Sequence, residues 1–157
     1  MSEQRLITKT DFVFLPITDF EQTEAFYSGV LGLECSKRYR NGIGGEFETG
    51  SLTIQVVDMA KIGREFKPTS GGIALHVDDV DAARKQLESQ GVEFQGETMD
   101  SGVCFMAYFQ DPDGNGLILH NRYAPPGVLP GVRRLWRNLA RRRGAMAVPR
   151  QGRREAQ

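Results

Sequence analysis

The chain is poor in the residues that carry the commonest chemistries: its 157 residues include two histidines, two cysteines and one tryptophan. Cys35 and Cys104 stand far apart and form no Cys-x-x-Cys pair, so neither a disulfide framework nor a thiolate zinc site is expected. Both fall in apparent strands and are expected to be reduced and buried or half-buried. No apolar run approaches the roughly 20 residues needed to span a bilayer, and Met1–Leu6 has no apolar signal-peptide core, so the cytoplasm is the expected compartment. Nucleophile signals are weak as well. Cys104 and Ser28 have no recognisable base partner, and Gly42-Ile-Gly-Gly45 reads as a hairpin turn rather than a phosphate cradle. What remains, 39% hydrophobic and 25% charged, is the composition of one globular domain with an ordinary core.

The formal net charge of zero hides an asymmetry. Residues 133–157 hold nine arginines against Glu155, a net of +8, which leaves the rest of the chain at −8. After Tyr123, the run Ala-Pro-Pro-Gly-Val-Leu-Pro-Gly131 marks the end of a domain. We therefore expect a folded unit over 1–124, a Pro/Gly linker over 125–131 and a basic extension over 132–157. In the extension Val132, Leu135, Trp136 and Leu139 recur at helical spacing among arginines. Such a segment suits an anionic membrane, nucleic-acid phosphates or an acidic partner. With a −8 body beside it, docking on its own domain or on a dimer mate is favoured over membrane or nucleic acid, and the end is expected to fray from about Arg143.

Within the body, Phe12–Ile17 reads as a strand, followed by a helix over Phe20–Leu31 capped by Thr18 or Asp19 and stopped near Gly29 or Gly32. Strand-like pieces follow at Leu33–Tyr39, Glu46–Thr49 and Ser51–Val57, with Gly-rich turns between them; Asp58–Ser70 is a connection with room for one helical turn. The pattern then restarts: strand Gly72–Val77, helix Asp79–Gln90 with acidic residues at its start, then strands Gly91–Gln95, Val103–Gln110 and Leu117–Asn121. Asp111-Pro-Asp-Gly-Asn115 between the last two has strong turn chemistry. The order β-α-β-β-β thus occurs twice, with Pro16-Ile-Thr-Asp-Phe-Glu21 and His76-Val-Asp-Asp-Val-Asp81 in equivalent places sixty residues apart.

Three stretches carry a resemblance: Asp19-Phe-Glu-Gln-Thr-Glu-Ala-Phe-Tyr-Ser-Gly-Val-Leu-Gly-Leu33, Gly72-Ile-Ala-Leu-His-Val-Asp-Asp-Val-Asp81 and Phe109-Gln-Asp-Pro-Asp-Gly-Asn115. With them, residues 11–123 resemble the vicinal oxygen chelate superfamily, which includes glyoxalase I, extradiol dioxygenases, fosfomycin-resistance enzymes, methylmalonyl-CoA epimerase and bleomycin-binding proteins. The resemblance implies an α+β fold in which two βαβββ modules form a curled mixed β-sheet around an inner cavity, helices outside, and a homodimer. The chemistry does not follow, because this scaffold hosts unrelated reactions.

In metal-dependent members each module supplies two ligands, one from its first strand and one from its last. Carried over, the four positions are Phe12, Gln55, Gly72 and Ile118, of which only Gln55 has a side-chain donor. No cofactor is therefore expected. Strand parity keeps His76 and His120 on the same face; with Gly72 beside Ile118, the two histidines become diagonal neighbours about 7 Å apart. They suit ligand contact, an acid/base pair or a shifted metal without an obvious third ligand, and equally a half-exposed rim with no role. Glu46 and Glu48 read as paired carboxylates toward the cavity or, more simply, as a solvated strand face. Ser51, Thr53 and Gln55 form a polar stripe; Phe12, Phe105 and Tyr108 line the cavity wall, whereas Phe14 is expected in the core.

The expected function is a metal-independent small-molecule binding or sequestering protein of the glyoxalase/bleomycin-resistance-like type, its ligand bounded by Phe12, Gln55, Gly72, His76, Ile118 and His120. Two alternatives remain open. One is an enzyme (lyase, isomerase or dioxygenase) with metal or acid/base groups moved to His76 and His120. The other is an interaction protein acting through its basic tail.

Overall fold

The computed structural model describes residues 6, 7 and 9–125. The linker beyond Pro125 and the basic extension lie outside them, and with them the expectations of an amphipathic helix and of fraying at Arg143. Eight strands and two helices are arranged as two modules. The first comprises β1 (Phe12–Ile17), α1 (Phe20–Glu24), β2 (Glu34–Arg38), β3 (Gly44–Glu48) and β4 (Thr53–Asp58). The second comprises β5 (Ile73–His76), α2 (Val80–Ser89), β6 (Phe94–Asp100), β7 (Cys104–Gln110) and β8 (Gly116–Arg122). Each module makes one four-stranded mixed sheet, in the order β1-β4-β3-β2 and β5-β8-β7-β6. First and last strands run parallel, the rest antiparallel.

Local chemistry explains the repeated strand-to-helix entry. Asp19 and Asp79 both hold extended backbone, and each carboxylate accepts a hydrogen bond from the amide three residues on, Gln22 and Ala82 respectively, at 2.9 Å. α1 runs on as a π-helical stretch, Ala25–Val30. It ends at Gly32, whose φ of +73° is left-handed backbone that glycine adopts without strain. Gly44 and Gly45, read from the sequence as turn, are strand residues. A Cβ on Gly44 would lie 2.0 Å from the carbonyl oxygen of Val56, so only glycine lets β3 and β4 approach here. β6 runs to Asp100, beyond the expected Gln95.

One core serves both modules. Leu15, Ile17, Phe47, Ile54 and Val56 of the first sheet and Ala107, Phe109, Leu117 and Leu119 of the second share it with Phe20, Tyr27, Val80 and Leu87 from the helical segments. Side chains alternate along a strand, so the other face of each sheet points away from this core. The two sheets are not closed around a cavity within one chain.

The Asp111–Asn115 turn pins the modules together. Buried Tyr27 donates its hydroxyl to the Asp111 carboxylate at 3.0 Å, and the Asn115 amide donates to Asp111 and to the Pro16 carbonyl, both at 2.8 Å. Thr18 donates from its backbone N–H and its hydroxyl to Asp113. Burial, then the neighbouring Asp111 carboxylate, pushes the Tyr27 hydroxyl well above its ordinary range.

Candidate functional site

The outward face of the first sheet carries Phe12 and Phe14 from β1, Thr53 and Gln55 from β4, and Glu46 and Glu48 from β3. Phe12 is 53% exposed and Phe14 44%, so Phe14 is not the core residue its sequence context suggests: it pairs with Gln55 and shares that residue's open face. The acidic pair is half-buried and held in place. The Tyr39 hydroxyl donates to Glu46 at 2.6 Å and accepts from the Gln55 amide at 2.7 Å, while Lys37 lies 3.8 Å from Glu46. Glu48 accepts from Ser36 at 2.7 Å and from Thr53 at 2.9 Å. Burial and the Glu46 hydrogen bond raise the Tyr39 hydroxyl pKa, which keeps it a donor. Tyr39 was missed in the sequence because it lies just past β2; its reach to Glu46 depends on the β2–β3 pairing and on the bulge between Cys35 and Lys37. Of the polar stripe, Ser51 lies ahead of β4, and Thr53 and Gln55 are on the strand.

The outward face of the second sheet carries Ala74 and His76 from β5, Ile118 and His120 from β8, and Met106 and Tyr108 from β7. The register differs from the expected one by two residues. Ala74, not Gly72, pairs with Ile118, and His76 pairs directly with His120. The two imidazoles therefore stem from neighbouring positions one strand spacing apart, about 5 Å, rather than from a diagonal pair. His120 is flanked on its other side by Met106, itself beside Met99, so the row across the sheet reads His76, His120, Met106, Met99. His76 is exposed, with Nε2 3.7 Å from Asp78. Phe105 turns the other way, packs against the core and meets Tyr123 at 4.9 Å, so it leaves the expected wall.

Gly72 leaves no vacant space. A Cβ placed on it would lie 2.7 Å from both Cδ1 and Cγ1 of Ile118, so the isoleucine already occupies the room a ligating side chain would need. Phe12, Gly72 and Ile118 offer no donor, and the Gln55 amide is tied to Tyr39. As a donor set the four positions do not fit a resident divalent metal. Among the described residues no three His, Cys, Asp or Glu side chains converge.

A family model described as the Glyoxalase/Bleomycin resistance protein/Dioxygenase superfamily matches residues 9–119. The chain belongs to that family. Solved structures of this superfamily's fold resemble it across most of its length. An integron cassette protein from the mobile metagenome of V. cholerae is 28% identical, covering 75% of this chain and 98% of its own, with a TM-score of 0.57. TnmS3, an antibiotic binding protein from a Streptomyces species, is 24% identical over 76% of this chain and 99% of its own, with a TM-score of 0.63. A lactoylglutathione lyase from Agrobacterium tumefaciens is 20% identical over 74% and 95%, with a TM-score of 0.62. This glyoxalase-superfamily chain thus shares its fold with a lyase and with a binding protein, and its own side chains have to decide between such roles.

The two outward faces differ in chemistry. The first is aromatic and anionic, and Glu46 and Glu48 are held by donors from their own module. The second is aromatic and thioether-rich, with two imidazoles. On the first face the carboxylates accept from hydroxyls, Glu46 from Tyr39 and Glu48 from Ser36 and Thr53. Phe12 and Gln55 stand on one sheet and His76, Ile118 and His120 on the other, with Gly72 just ahead of β5. Cys104 is buried and Cys35 half-buried, both free thiols. Among the described residues no helix is long and apolar enough to cross a membrane.

Proposed function

We propose that this protein binds a flat, at least partly aromatic small molecule between the outward sheet faces without a resident metal, and that a second copy brings the two kinds of face together. The observation that carries this is the exposure of large apolar side chains on both faces: Phe12, Phe14 and Met99 are each more than two-fifths exposed beside polar groups already held in position. Exposed aromatic and thioether surface next to directed polar groups is what a ligand or a partner face covers. In a homodimer, Phe12 and Gln55 of one copy would face Gly72, His76, Ile118 and His120 of the other. The ligand would stack on Phe12 and hydrogen-bond to His76 and His120. Glu46 and Glu48 favour a ligand with a positive charge.

A second reading, acid/base catalysis, draws on the direct pairing of His76 with His120. Two imidazoles one strand apart suit proton transfer if one is neutral when the other is charged.

Isothermal titration of the full chain with flat cationic aromatic antibiotics, with and without chelator, tests the proposal. Saturable binding that survives chelator and weakens at least tenfold in His76→Ala plus His120→Ala is expected. One equivalent of tightly held metal, lost in that double variant, would sink the binding-protein reading. Chemical turnover of a bound compound would establish the enzyme in its place. Light scattering during the titration checks for the dimer.

A further inference from the structure

One cavity of the described residues is lined by both modules. It is a cleft of ≈ 480 Å³ between the modules, walled by Leu31, Leu33 and Leu52 of the first and by Leu75, Val77 and Leu87 of the second. No carboxylate, lysine or arginine lines it; Thr49, Ser51, His76 and Gln86 supply its polar edge. Beside it, at the start of α2, Asp78, Asp79 and Asp81 border a smaller hollow with Phe105 and Asn121.

The described chain ends beside the second of these features, where Tyr123 packs on Phe105. Ala124 donates its backbone N–H to the Val103 carbonyl, and Asn121 hydrogen-bonds to the carbonyls of Val77 and Asp78. The end of β8 therefore lies against the three aspartates, and Val77 is also a wall of the cleft. The seven residues 125–131 reach at most about 23–25 Å when extended. The sequence that follows places Val132, Leu135, Trp136 and Leu139 at intervals of three, one and three, the spacing of a single helix face. Such a stripe is about 10 Å long.

We propose that residues 132–139 of the same chain occupy the inter-module cleft. Val132, Leu135, Trp136 and Leu139 cover its apolar walls, and Arg133, Arg134 and Arg137 meet Asp78, Asp79 and Asp81. Three properties select this occupant. The cleft is apolar where the segment is apolar, the three carboxylates border a hollow lined also by Phe105, on which Tyr123 near the end of the described chain packs, and the arginines of the segment alternate with its apolar residues. The distant +8 and −8 halves then neutralise each other locally, which explains why a chain of zero net charge is so unevenly charged. This site shares Ala74 and His76 with the proposed ligand faces.

Trp136, the only tryptophan in the chain, makes the test direct. Emission and acrylamide quenching are measured on the full-length protein at low salt, with a peptide of residues 132–157 as the free reference. The expected result is blue-shifted emission and quenching several-fold weaker than in the peptide, independent of protein concentration. Two surface variants, Gln86→Arg at the lip of the cleft and Asp78→Lys, should each raise quenching toward the peptide value with the thermal melt unchanged, as should about 1 M salt, where charges are screened within about 3 Å. Quenching equal to the peptide in the unmodified protein overturns the proposal. So does protection that neither variant alters, or protection lost on dilution, which would place the segment on another copy. Stoichiometric binding of the apolar probe anilinonaphthalene sulfonate that leaves Trp136 protected and is lost in Gln86→Arg would assign the cleft to a small molecule instead. None of these readouts depends on ligand binding at the sheet faces, so the two proposals fail separately.

Discussion

Removing the Tyr27 hydroxyl tests how the two modules are held together. Tyr27 is fully buried, stacks on Phe47 at 5.1 Å and meets Phe26 edge-on at 5.4 Å. Tyr27→Phe keeps those ring contacts and deletes only the hydroxyl, which spans from the first module's helical segment to Asp111 of the second. A hydrogen bond to a charged group contributes about 1.5–3 kcal/mol, and the carboxylate oxygen left behind keeps only the Asn115 amide. The expected loss is therefore about 2 kcal/mol, which lowers the urea midpoint by about 1 M at an unchanged slope.

The loss should depend on pH with a definite sign. Burial holds the Asp111 carboxyl above the usual carboxylate range, and hydrogen bonds from Asn115 and Tyr27 pull it partly back. Between the unfolded and the raised folded value the native state binds more protons, so this group's contribution to stability falls as pH rises through that window. Tyr27→Phe removes one of the lowering hydrogen bonds and raises the folded value further. The variant's deficit should thus be full at neutral pH and shrink on acidification through the window. A loss below about 0.5 kcal/mol, or the same loss in an Asp111→Ala background, would refute the pin, because a real coupling must vanish with either partner.

Two further substitutions check close approaches. Gly44→Ala should cost at least about 3 kcal/mol or prevent soluble expression, because its Cβ would meet the Val56 carbonyl oxygen at 2.0 Å and backbone cannot rotate away as a side chain does. Chemical denaturation decides it; a neutral Gly44→Ala means that β3 and β4 are spaced more widely. Gly72→Ala should be milder, about 1 kcal/mol, since Ile118 can turn aside. The cost should disappear in an Ile118→Ala background, and its persistence there would mean that the two residues do not share the space.

Much of the fold is legible in the sequence because its signals are local. The Asp19 and Asp79 caps and the alternation of Leu52, Ile54 and Val56 depend on neighbours within a few residues. The repeat of these signals sixty residues apart is what carried the resemblance. Where the sequence misled, a distant partner was responsible. Gly44 and Gly45 look like a turn because the carbonyl that excludes a Cβ belongs to Val56. Phe14 looks like core because an aromatic residue in a strand does not declare which face is covered.

The candidate site divides along the same line. Residue identity alone decided that Phe12, Gly72 and Ile118 bring no donor and that His76 and His120 share a face, since side-chain chemistry and strand parity need no third dimension. Tertiary structure decided the rest. It set β5 against β8 so that the histidines are paired rather than diagonal, filled the space beside Gly72 with Ile118, and brought Tyr39 to Glu46. It also placed the first and second halves of the expected ligand set on two separate sheets. Register and module packing are settled by contacts between residues far apart in the chain. No local pattern encodes them.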